Sequence, residues 1–169
     1  SLRKDVRSNL EREVNNRIQV RNKASVMEAL IKHSELDVPK VLVDDELNRL
    51  LENAVSEMKQ RGNSAITKDQ IQPSVFLPQA ERRVRLGLVV GELVQQHSLQ
   101  AKPDQLHSHI QELAKSYEKP AEVVAWYLGD RQRMADVEAA VVESNVAEFV
   151  MTRAKVIDKP LAFNDLMAT

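Results

Sequence analysis

Four glycines and six prolines are all that punctuate 169 residues. A β-sandwich or barrel of that length reverses direction many times. Its tight turns draw on residues that tolerate unusual backbone angles, glycine above all. Helices run on without such residues. Aromatic side chains, which strands favour, make up only 4% of the chain. These shortages predict an all-α protein.

With 43% hydrophobic residues, the chain has material for one domain of ordinary size, or for two lobes sharing a core. Basic and acidic residues nearly cancel, 24 against 25, for a formal charge of -1. Such a balance gives no global pull toward nucleic acid or an anionic membrane. Cysteine is absent, which excludes disulfides, thiol catalysis and thiolate-bound metals. No run of about 18 apolar residues occurs, so no membrane span is expected. The opening Ser1-Leu2-Arg3-Lys4-Asp5 lacks the apolar stretch of a secretory signal, and a cytoplasmic location is expected.

Apolar periodicity places the helices. Leu2, Val6, Leu10, Val14 and Ile18 recur every four residues in a first helix from about Leu2 to Ile31, polar between Val14 and Val26. Asp37-Val38-Pro39 opens a second, with Pro39 expected in the first turn; Val43, Leu47, Leu50, Leu51, Ala54, Val55 and Met58 share one face, and Gly62 ends it. A polar connection through Gly62, Asn63, Ser64 and Thr67 follows. The third helix is expected to start between Ser74 and Pro78 and to run to about His97. Lys102-Pro103-Asp104 restarts a helix through Tyr117; Lys119-Pro120 breaks it, and a short helix carries Val123 to Leu128. Gly129-Asp130 reads as a stop and an N-cap for a last long helix to about Arg153. Val156-Ile157 reads as extended, with Asn164 capping a final turn that holds Leu166 and Met167.

Chemistry is hard to find in this pattern. His107 and His109 stand about 200° apart on a helix and cannot share a metal; both read as surface residues. His33 and His97 fit the negative ends of helix dipoles. The carboxylates, Asp44-Asp45-Glu46 among them, come with no phosphate loop, dinucleotide fingerprint, nucleophile elbow or metalloprotease helix. No enzyme activity, metal or cofactor is expected. Arg82, Arg83 and Arg85, like Arg3, Lys4 and Arg7, are interleaved with acids, which argues against direct nucleic-acid binding. Gly87 and Gly91, four apart, open one helix face and predict a close helix crossing there. Three of the six aromatics, Tyr117, Trp126 and Tyr127, flank the Pro120 break, more apolar surface than so thin a hairpin can bury. Exposed apolar surface of that kind marks a binding site.

Read together, these segments resemble the C-terminal domain of bacterial trigger factor, a family of ribosome-associated folding chaperones. The resemblance lies in Leu36-Asp37-Val38-Pro39 with Asp45-Glu46-Leu47, in Gln79-Ala80-Glu81-Arg82-Arg83-Val84 running into Gly87-Leu88-Val89-Val90-Gly91-Glu92, and in Tyr117-Glu118 with Pro120-Ala121-Glu122-Val123. Ala154-Lys155-Val156 and Phe163-Asn164-Asp165-Leu166-Met167 extend it nearly to the end.

The resemblance implies an elongated multihelical body with two helical arms forming a cradle, and a short extended C-terminal segment. The body would be about 1–36 and 132–169, arm one about 37–98, and arm two about 99–131. It implies an ATP-independent chaperone that holds unfolded or nascent polypeptides by distributed apolar contacts. Leu113, Tyr117, Val123 and Trp126 would form one client patch, and Phe76 would contribute to another. The family's N-terminal ribosome-docking domain carries a Gly-Phe-Arg-Lys signature, and a further domain is a prolyl isomerase of the FK506-binding type. Neither signature nor a β-rich stretch of that length occurs here, so ribosome binding and isomerase activity are not expected of this chain. An open cradle also invites a second copy, as a homodimer. The alternative reading is a helical scaffold or adaptor for one folded partner, with a single contiguous patch.

Overall fold

The structure, a computed structural model, describes residues 2–62 and 65–168. Among the described residues seven α-helices and one 3₁₀ turn run in the order α1 (Leu2–His33), α2 (Lys40–Gln60), the 3₁₀ turn (Lys68–Gln70), α3 (Pro73–His97), α4 (Pro103–Ala114), α5 (Pro120–Leu128), α6 (Arg131–Arg153) and α7 (Phe163–Met167). Among the described residues there is no strand, and the fold is all-α as the scarcity of turn residues requires. Two compact units form, one of Ser1–Glu28 with Leu93–Thr169 and one of Ala29–Glu92.

In the Ala29–Glu92 unit, Val43 and Leu50 of α2 meet Ala80 of α3, with Val38, Leu47, Phe76 and Val84 packed around them. Ala80 is 0% exposed, and its single methyl group is what lets α2 and α3 approach. Arg83 Nη1 donates to Glu46 Oε1 at 3.1 Å across the same pair of helices. The close crossing expected at Gly87 and Gly91 is absent: both are exposed, and a Cβ built on either meets nothing within 4 Å. A helical pattern marks which face is small, not which face acquires a neighbour.

Several helix ends differ from expectation for local reasons. Pro39 is the N-cap of α2 rather than part of its first turn, with φ -62° and ψ 126°. Its carbonyl accepts the Val43 N–H at 3.2 Å. Past the other end, Gly62 takes φ +98°, the left-handed angle that favours glycine at a helix C-terminus. Asn63 and Ser64 of the expected connection lie outside the described residues. The 3₁₀ turn after them went unanticipated; the Thr67 N–H donates to Gln70 Oε1 at 3.1 Å to close it. α3 starts at Pro73, ahead of the expected window, and Pro78 lies inside it.

In the other unit, Ile110 of α4 packs with Val137 and Val141 of α6, flanked by Leu106, Val124, Tyr127 and Met134. Ile110 is 1% exposed. Val26 and Met27 of α1, Val146 and Ala147 of α6, and Leu166 of α7 are also buried. α4 stops at Ala114, so Tyr117 lies beyond the helix that the sequence pattern extended through it. Ala162, not Asn164, is the N-cap of α7.

Candidate functional site

The surface of interest is built where α4, α5 and α6 meet. Proline begins both α4 and α5, where its missing N–H is not needed. Between them the chain turns through residues 115–119. α5 is nine residues long, Pro-Ala-Glu-Val-Val-Ala-Trp-Tyr-Leu, with Glu122 its one charged side chain. Val124 and Tyr127, three apart and so on one face, pack against the Ile110 cluster. A helix that is apolar nearly all round but covered on one side leaves the rest in water. Trp126 is accordingly 56% exposed and Leu128 is exposed beside the turn, while Val123 is half-buried. Tyr117, in the α4–α5 connection, is 60% exposed; Leu113, near the end of α4, is also exposed.

Trp126 is held from the start of α6. The Arg133 guanidinium lies over the indole at 3.9 Å from the ring centroid. The Tyr127 ring meets the indole edge-on at 5.0 Å. Arg133 Nη1 donates to the Trp126 carbonyl, and Nη2 donates to Asp130 Oδ2 at 3.2 Å. Asp130 is the N-cap foreseen from sequence: Oδ1 accepts the N–H groups of Gln132 at 2.8 Å and Arg133 at 3.0 Å. The Arg133 backbone N–H above all, then the Gln132 N–H and the guanidinium, hold the Asp130 carboxyl below its ordinary range despite some desolvation.

Phe76 lies in the other unit, apart in sequence from the four residues of the α4–α5 hairpin, and packs against the Val43–Leu50–Ala80 cluster. Part of its ring is therefore spent on core. Its neighbours Val75 and Leu77 are exposed. Sequence reasoning passed over them, and over Leu128 and the C-terminal Val156, Leu161 and Phe163, all exposed; Ile157 reaches 81%. Nothing in their periodicity distinguishes them from core positions. Arg133 was missed as well, although its place three residues after an N-cap aspartate was a usable signal.

In the unit that holds the α4–α5 hairpin, α1 and α6 border a groove of about 470 Å³, with Gln19, Lys23, Glu148 and Met151 among its lining. His107 is exposed, as read from sequence, but His109 is half-buried. Burial, and secondarily the Lys23 ammonium, push the His109 imidazole below its ordinary pKa. Among the described residues no group of three His, Asp or Glu side chains is placed to hold a metal ion. No described helix is long and apolar enough to cross a membrane.

Residues 1–152 match the family model of the bacterial trigger factor protein C-terminus. The chain belongs to that family. Trigger factor of Methylibium petroleiphilum is 59% identical over 166 residues, which is 98% of this chain and 38% of the relative. The trigger factor of Delftia acidovorans is 57% identical over the same shares. That of a Polaromonas species is 57% identical over 167 residues, 99% of this chain and 38% of its own length. The chain thus spans about 38% of the curated trigger factors it matches. The segments that first pointed to the trigger factor C-terminal domain lie within that matched length or in the few residues bordering it.

Proposed function

We propose that this chain is a molecular chaperone domain, independent of ATP, that holds unfolded or nascent polypeptides through several weak apolar contacts. The observation that carries the reading is the exposed apolar surface of the α4–α5 hairpin, Trp126 and Tyr117 foremost, in a chain of the trigger factor family. Phe76, with exposed Val75 and Leu77, is proposed as part of a second patch. In this reading the body is about 1–36 and 132–169, arm one about 37–98 and arm two about 99–131, each offering apolar surface to clients in the cytoplasm. It carries out no catalysis.

The energetics suit such a role. A fully buried apolar side chain contributes about 1.5–3 kcal/mol. Partial burial of a few, less the cost of ordering both partners, leaves each patch weak. A client that spans two patches binds the second at high effective concentration, so weak sites combine into useful retention. Release needs no nucleotide, because a client that buries its own apolar groups removes the contacts. A second copy of the chain can compete for the same surface as a homodimer.

The test is light scattering of a chemically denatured enzyme diluted into buffer with and without the chain, in the absence of ATP, repeated with an unrelated client. Suppressed aggregation of both clients is the expected result. No suppression at several-fold excess would favour a scaffold that binds one folded partner.

A further inference from the structure

Trp126 is the only tryptophan of the chain. An indole more than half exposed on a nine-residue helix has several rotamers open to it unless something restrains it. Arg133 supplies two restraints at once, its guanidinium plane over the ring at 3.9 Å and a hydrogen bond from Nη1 to the Trp126 carbonyl. The guanidinium is itself fixed: Asp130 Oδ2 accepts from Nη2 at 3.2 Å while Oδ1 is committed to the α6 N-terminus. A helix cap, a carboxylate, a guanidinium and an indole thus form one connected chain of contacts.

We infer that Arg133 is a positioning residue for client binding: it packs over the Trp126 indole, helps fix the ring's orientation alongside Tyr127, and leaves the exposed part of the ring as contact surface for an unfolded polypeptide. The inference rests on the chaperone reading of the α4–α5 surface. A ring ordered in advance loses less freedom when a client docks, so more of its burial is retained as affinity. Arginine suits the task because its planar guanidinium stacks on an aromatic face while its fork of donors reaches a carbonyl and a carboxylate; a lysine ammonium keeps the charge but not the fork.

The single tryptophan makes the restraint directly visible. Acrylamide quenching and anisotropy of Trp126 fluorescence would be recorded on the free chain, and affinity measured for a reduced, carboxymethylated, permanently unfolded polypeptide carrying a dye. Arg133→Met keeps aliphatic bulk and removes cation and donors. It is expected to raise quenching, lower anisotropy and weaken client binding by about threefold. Asp130→Asn retains a helix cap but releases the guanidinium, and should shift both readouts the same way by less. Arg133→Lys should recover part of the affinity.

Unchanged quenching and anisotropy in Arg133→Met, or altered fluorescence with unaltered affinity, would overturn the inference. Trp126→Ala separates it from the reading beneath it. Weakened binding in Trp126→Ala but not in Arg133→Met sinks the positioning role alone, and unaltered binding in Trp126→Ala sinks both. Should Arg133→Met lose its helical signal, Asp130→Asn decides by the same two readouts.

Discussion

Gln105 on α4 and Asn145 on α6 form a closed amide pair: Gln105 Nε2 donates to Asn145 Oδ1 at 2.8 Å, and Asn145 Nδ2 donates back to Gln105 Oε1 at 3.2 Å. The same Asn145 nitrogen donates to the Leu99 carbonyl at 3.1 Å, in the connection between α3 and α4. Gln105 Oε1 also accepts the Lys102 N–H at 3.0 Å, capping α4. Two half-buried amides therefore tie a helix start and a connection to the middle of α6.

Removing one member leaves the other short of partners in a site with limited access to water. Asn145→Ala is expected to destabilise the fold by about 1–2 kcal/mol. Asn145→Asp, nearly the same shape, should do no better, because it turns a lone pair toward the Leu99 carbonyl where a donor now sits. Urea unfolding followed by circular dichroism measures both; an aspartate variant as stable as the parent would remove the donor role.

Glycine inside a helix costs stability that alanine restores when the added methyl meets no obstacle. Nothing lies within 4 Å of a Cβ at Gly87 or Gly91. Gly87→Ala and Gly91→Ala should each raise stability by about 0.5–1 kcal/mol, read from the denaturant midpoint. A loss in either variant would mean that another backbone does approach this face in solution.

Acid should weaken the protein through His109. Its native pKa lies below the ordinary 6.5, first because of burial and then because of Lys23. The unfolded chain therefore binds this proton more readily than the native one. The contribution is complete above pH 6.5 and is lost as pH falls through that value toward the lower native pKa. The denaturant midpoint is expected to drop between about pH 7.5 and pH 5.5, and His109→Gln should flatten that slope. An equally steep slope in the variant would place the pH dependence elsewhere.

The client surface is tested by removing its two large exposed rings together. Tyr117→Ala with Trp126→Ala should weaken binding of an unfolded polypeptide by about tenfold, with helicity retained, since neither ring is a buried core residue. Binding that persists at full strength would assign client contacts to other surfaces. A collapse of helicity would show these rings to be structural.

Local chemistry in this chain speaks through short-range signals. The all-α class follows from scarce turn residues; Pro103 and Pro120 start helices where proline can, Gly62 ends one with a left-handed angle, and Asp130 caps α6 through groups two and three residues away. Each depends on neighbours along the chain, and each was legible without a fold. α6 marks where that legibility stops. Val137 and Val141 share one face, but Val146, five residues after Val141, is turned from it by about 140° around the helix axis and is also buried. A helix whose covered side changes along its length has no single stripe to read.

Which residues stay in water, and what touches them, depends instead on pairings across tens of residues. Periodicity marked Gly87 and Gly91 as the approach of two helices, whereas Ala80 occupies that place against Val43 and Leu50. It located the aromatic cluster at the Pro120 break but not the division of labour within it, Tyr127 inward on the Ile110 cluster and Trp126 outward beneath Arg133. The sequence by itself determined the long helices and the ends that Pro103, Pro120, Gly62 and Asp130 mark, because those are set by backbone angles and hydrogen bonds within a few residues. Only the tertiary structure decided which apolar side chains are core and which are surface, because burial belongs to whatever packs alongside.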